Sequence, residues 1–342
     1  SDELIALARA DRFPVTCTLM ALGAFPAPDP QWLGMLGMHG TRAANYGMDQ
    51  ADLILCAGAR FDDRITGKLD EFAPNAKFIH IDIDPAEISK NVPAHIPIVG
   101  DAKNILSRLL AEYRVLDTDS SRMDEWWETI EGWRTDYPLT YEDLDDEEIK
   151  PQFVIEALME ATGGEAIVTS DVGQHQMWAA QYYDFPKPRR WINSGGLGTM
   201  GFGLPSAIGA KVGCPDTPVC VVTGDGSIQM NSQEFATATQ ERLDIKVFIL
   251  NNGYLGMVRQ WQELFWENRL SAVDLSGRPD WVKLAEAYGA TGVQLTQKSS
   301  LVDDIRKIFE TPGTVIADVR VTRDENVYPM LPAGEPARNM VG

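Results

Sequence analysis

The stretch Val219-Cys220-Val221-Val222-Thr223-Gly224-Asp225-Gly226-Ser227 opens as an apolar run and closes on a glycine-rich turn. A short apolar run bounded by such a turn reads as a strand buried on both faces, as in a parallel sheet. In open α/β sheets, ligands gather at the carboxyl ends of strands. Glycines there let the backbone approach an oxyanion closely, and Asp225 offers a hard oxygen ligand. The next apolar run, 246–250, ends at Asn251-Asn252. Two neighbouring strand ends can therefore aim a carboxylate and a side-chain amide at one cation. Magnesium takes about six oxygens, often shared with a phosphate. Each motif alone is also an ordinary tight turn; their pairing at successive strand ends points to a metal-held diphosphate.

Outward from this point the same alternation continues. Further strands are expected at 166–169 and 315–321, with helices between, in a pattern that starts near Pro151. The first part of the chain repeats the theme. A helix is expected over 3–10 and a strand over 14–19. The continuous runs 51–57 and 77–84 read as buried parallel strands. A short strand at 96–99 ends at Gly100-Asp101, and a helix follows through Tyr113. Strands alternating with helices imply doubly wound sheets. The expected fold class is therefore α/β with two doubly wound parallel-sheet domains, at 1–113 and 151–330, followed by a tail at 331–342. The first of these lacks its first strand in this reading. Between them, 114–150 reads as a connection with a helix near 122–135. Its Trp126, Trp127 and Trp133 would anchor it to a domain surface, and the acidic run 143–148 follows.

The chain has 342 residues, enough for two such cores. Its net charge of −20 argues against a nucleic-acid binder, which needs a basic surface. No apolar run is long enough to span a membrane. Cys17, Cys56, Cys214 and Cys220 show neither a C-x-x-C motif nor zinc-site spacing, so they read as buried free thiols.

The Gly224-Asp225-Gly226 and Asn251-Asn252 pair resembles the signature of thiamine-diphosphate enzymes. That resemblance implies Mg2+ held by Asp225, Asn252 and the backbone carbonyl of Tyr254. The wider text is more specific. Residues 171–183 (DVGQHQMWAAQYY), 188–191 (PRRW), 194–203 (SGGLGTMGFG), 251–265 (NNGYLGMVRQWQELF) and 326–330 (NVYPM) resemble the acetohydroxyacid synthase (acetolactate synthase) family. So do 35–40 (MLGMHG), 58–64 (GARFDDR), 80–85 (HIDIDP) and 99–102 (VGDA), which match that family's central domain.

The family's residues carry over by position. The resemblance implies that Val172, Gly173, Gln174 and His175 line the diphosphate side of thiamine diphosphate. Gly198 and Met200 would meet its aminopyrimidine. Gly224, Gly226 and Ser227 would cradle the diphosphate beside the magnesium. Met257 and Trp261, four residues apart on an expected helix, share a face that would border the substrate pocket, as would Arg64. Read without the resemblance, Leu255, Val258, Trp261 and Phe265 suit an ordinary helix core. FAD would be met by Gly37, Met38, His39, Gly40, Gly58, Ala59, Arg60, Arg64, Asp82, Ile83, Asp101 and Ala102. No G-x-G-x-x-G fingerprint is present, so spacing alone does not indicate dinucleotide binding.

The implied activity is decarboxylation of pyruvate and transfer of the two-carbon unit to a second 2-keto acid. The products are 2-acetolactate or 2-aceto-2-hydroxybutyrate, precursors of branched-chain amino acids. In the family a glutamate of the N-terminal pyrimidine-binding domain activates the cofactor. No counterpart of that domain is read here, so no catalytic residue is expected in this chain, and the chain alone is expected to be inactive. The resemblance also implies a homodimer or homotetramer with the active site at the subunit interface, a small regulatory subunit and a bacterial-type cytoplasmic location. The alternatives are another thiamine-diphosphate enzyme of the same plan (pyruvate oxidase, glyoxylate carboligase, oxalyl-CoA decarboxylase) or a non-catalytic cofactor-binding fragment.

Overall fold

The apolar runs of the first part become short parallel strands in the computed structural model, which describes residues 1–143, 148–277 and 279–342. Most of the acidic run 143–148 lies outside the described residues. The chain divides into two units. One comprises 1–140, 186–188 and 328–342; the other comprises 141–185 and 189–327.

In the first unit, α1 (Asp2–Ala10), β1 (Val15–Cys17), β2 (Trp32–Met35), α2 (Arg42–Asp49), β3 (Leu53–Ala57), α3 (Asp63–Thr66), β4 (Lys77–Asp82), β5 (Ile96–Val99), α4 (Ala102–Tyr113) and α5 (Asp124–Asp136) follow in order. All strand pairs are parallel, but they form two sheets, β1-β2 and β3-β4-β5, where one sheet was expected. The β1 strand pairs with β2, which the sequence reading missed, and the register slips between Val15 and Cys17, so this ladder stays short.

A second difference concerns β3. Its run was expected to be buried on both faces. Ile54 and Cys56 are buried, whereas Leu53 and Leu55 are 54% and 36% exposed. Phe61, Ala73, Ala76, Phe78 and Val92 cover one face. On the other face, Leu7 of α1 with Leu106 and Leu110 of α4 packs over Ile81 and Ile98, leaving β3 open.

The helix expected near 122–135 forms as α5, and it belongs to the first unit's core. Trp127 and Ile130 bury against Leu33, Leu36, Ala44 and Ile65. The Trp127 indole donates to the Arg12 carbonyl at 2.7 Å, the usual way a buried tryptophan satisfies its N–H. The tail from Tyr328 onward also groups with this unit; Leu331 N donates to the Met38 carbonyl at 2.7 Å.

The second unit runs α6 (Pro151–Thr162), β6 (Ile167–Ser170), α7 (Gln174–Tyr182), β7 (Trp191–Asn193), α8 (Gly203–Gly213), β8 (Val219–Gly224), α9 (Glu234–Gln240), β9 (Ile245–Asn251), α10 (Gly256–Phe265), α11 (Trp281–Ala287), β10 (Thr291–Leu295), α12 (Leu301–Glu310) and β11 (Val315–Arg320). Its six strands are parallel, in the order β10-β11-β9-β8-β6-β7. Pro151 starts α6 where its missing N–H costs nothing, and Gly163 ends it in the left-handed conformation.

Every residue of β8 and β9 is buried. Leu204 and Ala207 of α8, Phe235 and Ala238 of α9, and Trp281 and Ala285 of α11 pack on Val219, Val221, Ile245, Val247, Ile249 and Ile316. Phe309 of α12 lies 6.1 Å from Phe248, covering the opposite face. Each fully buried aliphatic side chain contributes roughly 1.5–3 kcal/mol, so the central strands hold their tips firmly. Three cysteines are buried as expected; Cys214, just beyond α8, is exposed.

Candidate cofactor site

The carboxyl ends of β9, β8, β6 and β7 are consecutive in the sheet. Asn252 follows β9, Asp225-Gly226-Ser227 follows β8, and Asp171-Val172-Gly173 joins β6 to α7. The loop after β7 carries Gly198 and Met200. Sequence reasoning singled out these four segments separately; the topology brings them to one edge of one sheet. The turns are tied together: Ser227 Oγ donates to the Val172 carbonyl at 2.9 Å, and Gln229 Nε2 to the Asp225 carbonyl at 2.8 Å.

His175 packs between Gly173 and Gly224. A Cβ added to Gly173 would stand 2.8 Å from the imidazole, and one added to Gly224 would stand 2.9 Å from it. Both positions therefore exclude larger residues while the ring is there. One ring nitrogen hydrogen-bonds the Asp171 carbonyl, and burial lowers the imidazole pKa to about 3, so it is neutral near pH 7. Its Nε2 is buried with no hydrogen-bond partner among the described residues. A buried polar atom left in this way is costly and suits a ligand's polar group. Asp225 is fully buried. Buried carboxylates are characteristically paired or bound to metal.

Asn252 Oδ1 accepts from Tyr254 N at 3.0 Å, and its Nδ2 lies 3.4 Å from Gln174 Oε1. Among the described residues no group of three or more His, Cys, Asp or Glu is placed to hold a metal. The expected ligand set contains a single such side chain, with an amide and a carbonyl completing it. These oxygens and the glycine turns fit a diphosphate held through a hard cation, while the orphaned Nε2, an acceptor, suits a donor group of the same ligand.

Helix α10 inverts the usual amphipathic order. Arg259 and Gln260 are buried, while Val258 and Phe265 are 49% and 43% exposed. The reading of this helix as an ordinary apolar core is therefore overturned. Arg259 Nη2 donates to the carbonyls of Asp324 and Glu325, both at 3.1 Å, and Nη1 to Glu263 Oε2 at 2.5 Å. Gln260 exchanges two bonds with the backbone of Val327, at 2.9 and 3.1 Å, and accepts from Gln174 Nε2 at 2.9 Å. Met257 and the Trp261 ring are half-buried, with Trp261 5.2 Å from Phe265. Sequence reasoning missed Arg259 and Gln260, because a buried Arg-Gln pair has the hydropathy of a surface pair. The one available signal was the Arg259–Glu263 spacing of facing helix positions.

In the first unit, Gly58 follows β3, Asp82 ends β4, and Asp101 follows β5, so adjacent strands carry three of the expected FAD contacts to one edge. Gly58 N donates to the Ile81 carbonyl at 2.8 Å, and a Cβ there would meet open space. His80 Nε2 lies 3.0 Å from the Ala59 carbonyl. Asp82 Oδ1 accepts from Asp84 N at 2.9 Å, and Ile83 is exposed. Asp101 caps α4, which starts at Ala102, by accepting from Asn104 N at 3.0 Å.

The turn 37–40 meets the backbone of Arg64. Met38 N donates to the Arg64 carbonyl at 2.7 Å, and a Cβ on Gly37 would stand 2.6 Å from that oxygen. Gly40 is equally confined, 2.3 Å from the Met35 carbonyl by the same measure. Burial lowers the His39 pKa to about 4. Arg60 and Arg64 are exposed, each near an acidic neighbour at 3.4 Å.

Residues 171–319 match the family profile of the thiamine pyrophosphate enzyme, C-terminal TPP binding domain, and residues 1–109 match that of the thiamine pyrophosphate enzyme, central domain. The chain belongs to the thiamine pyrophosphate enzymes. All four strand-end segments of the second unit fall within the first of these matches. This member of the family is similar over nearly its whole length to acetolactate synthase large subunits. The isozyme 3 large subunit of Escherichia coli K12 is 52% identical over 337 residues, 96% of this chain and 58% of that protein. The large subunit of Haemophilus influenzae is 48% identical over 343 residues, 100% of this chain and 60% of that protein. The acetolactate synthase of Mycobacterium leprae is 49% identical over 342 residues, 98% of this chain and 54% of that protein. The chain thus spans somewhat more than half the length of these relatives. No described helix is long and apolar enough to cross a membrane.

Proposed function

We propose that the chain is the flavin-side and thiamine-diphosphate-side portion of an acetolactate synthase large subunit. The whole protein decarboxylates pyruvate and joins the two-carbon unit to pyruvate or 2-ketobutyrate. The observation that carries this reading is that 172–175, 198–200, 224–227 and 252–254 all follow neighbouring strand tips of one sheet. Thiamine diphosphate supplies the electron sink for the chemistry when bound.

The chain's residues bind and orient. Asp225, the Asn252 side chain and the Tyr254 carbonyl offer hard oxygens to Mg2+. The backbone of Gly224, Gly226 and Ser227, with Val172, Gly173, Gln174 and His175, takes the diphosphate. Neutral His175 gives its one N–H to the Asp171 carbonyl, so its Nε2 is an acceptor open to a ligand N–H or a metal-bound water and adds no charge beside the diphosphate. Gly198 and Met200 support the aminopyrimidine end. Met257 and Trp261 border the keto acids, on a helix whose buried polar face leaves its apolar side chains free to meet them. Arg64, with Arg60, Gly58, Ala59, the turn 37–40, Asp82, Ile83, Asp101 and Ala102, meets FAD. Homo-oligomerisation, a small regulatory subunit and a cytoplasmic location complete the proposal.

Incubating the whole protein with pyruvate, thiamine diphosphate, Mg2+ and FAD is expected to yield acetolactate. Acetate or acetyl phosphate as the main product would favour an oxidase of the same plan. A Trp261→Leu change is expected to weaken selection of the second keto acid, read from the ratio of the two acetohydroxy acids formed in a mixed-substrate assay.

A further inference from the structure

We propose that Asp171 is a positioning residue that locks the loop carrying Gly198 and Met200 to the diphosphate-side turns, a role that rests on the cofactor reading above. Asp171 is fully buried at the tip of β6. Its Oδ1 accepts from Gly201 N at 2.6 Å and from Val172 N at 3.1 Å. Its Oδ2 accepts from Thr223 Oγ1 at 3.2 Å. Its own N–H donates to the Val222 carbonyl at 3.0 Å, and its carbonyl accepts from Ser170 Oγ at 2.8 Å and from the His175 ring. One residue therefore touches the 172–175 turn, the loop after β7 and the end of β8 beside Gly224-Asp225.

The opposite side of Gly201 is also held. Its carbonyl accepts from Asn231 Nδ2 at 2.8 Å, and its φ of +90° leaves a Cβ only 2.8 Å from that nitrogen. Gly203 has no room either: a Cβ there would stand 2.9 Å from Asp171 N. The loop base is thus clamped between Asp171 and Asn231, whereas 195–199 is exposed. The carboxylate also faces the start of α8, where the helix dipole favours negative charge. Burial raises its pKa, and the amide and hydroxyl donors offset only part of that rise. A carboxyl group held by several directional donors fixes geometry where an apolar residue would only fill space.

The test uses the full 342-residue chain with Asp171→Asn and Asp171→Ala. Asparagine keeps an acceptor for Gly201 N and offers its amide to the Thr223 hydroxyl, so it should rescue the frame. Calorimetric titration with thiamine diphosphate and Mg2+ is expected to show Asp171→Ala weakened roughly 10- to 100-fold and Asp171→Asn within about fivefold of the parent. Amide hydrogen exchange without cofactor is expected to rise in Asp171→Ala over 194–203 and 223–227, while β9 and β11 stay protected. Unchanged exchange and affinity in Asp171→Ala would overturn the proposal, as would loss of protection throughout the second unit in both variants. Should the alanine variant not fold, Thr223→Val removes one donor to the same carboxylate. It should raise exchange in the same two segments, and unchanged exchange there again overturns the proposal. If the parent chain fails to bind thiamine diphosphate, the cofactor reading is what fails, and the exchange measurement still decides whether Asp171 holds the loop.

Discussion

In the second unit every residue of β8 and β9 is buried, whereas β3 of the first unit buries Ile54 and Cys56 and leaves Leu53 and Leu55 open. All three strands are short apolar runs closing on glycine or asparagine. What separates them is cover. The central strands of the larger sheet have helices on both faces, while β3 has packing on one. The consequence reaches the candidate sites. Strand tips in the second unit present buried groups at fixed positions, such as Asp171, His175 and Asp225. Among the first unit's candidates, Arg60, Arg64 and Ile83 remain exposed, beside the tightly confined turn 37–40.

The largest expected contrast is in stability. Ile249→Ala removes a fully buried side chain and is expected to cost about 2–5 kcal/mol. Leu55→Ala, at a strand face open to solvent, should cost about 1 kcal/mol or less. Urea unfolding of the two variants compares them directly, and equal costs would break the contrast between the units.

Acid should sharpen it next. Burial depresses His175 to about 3 and His39 to about 4, from the ordinary histidine value of 6.5. The unfolded chain therefore binds protons that the folded chain refuses. The stability these neutral rings allow is complete above pH 6.5 and is lost as pH falls toward 4 for His39 and toward 3 for His175. Between pH 6.5 and 5 each histidine should account for about 2 kcal/mol of that loss. His175→Gln and His39→Gln should each flatten the pH dependence of unfolding free energy over this range. An unaltered slope in either variant would show that its ring is not buried neutral.

The smallest stability effect is expected at the exposed arginines. Arg60→Ala and Arg64→Ala should change unfolding free energy by about 0.5 kcal/mol or less, as for other solvent-exposed ion pairs. Both should nonetheless weaken FAD binding, followed by quenching of flavin fluorescence. Unimpaired flavin binding in both variants would remove these arginines from the proposed FAD set.

Much of this arrangement was legible in the residues. The run ending at Gly224-Asp225-Gly226 and the run ending at Asn251-Asn252 became adjacent strands, β8 and β9, because each is mostly apolar, Thr223 and Lys246 apart, and punctuated by turn residues. Three features were not legible. The β2 strand at Trp32–Met35 contains Gly34, a residue poorly suited to strands, and forms only because β1 lies alongside it. The tryptophans of α5 signalled anchoring without saying that the helix completes the first unit's core. The buried face of α10 is polar, so hydropathy pointed the helix the wrong way round. Arg259 donates to the carbonyls of Asp324 and Glu325, and Gln260 bonds the backbone of Val327, partners that only the folded chain supplies.

The most direct test of the account is calorimetric titration of thiamine diphosphate into the chain, with and without Mg2+, alongside an Asp225→Ala variant. Binding is expected to require Mg2+ and to disappear in the variant, whose unfolding should still be cooperative. Equal affinity with and without the metal, or an affinity untouched by removal of Asp225, would contradict the claim that adjacent strand tips hold a diphosphate through a cation.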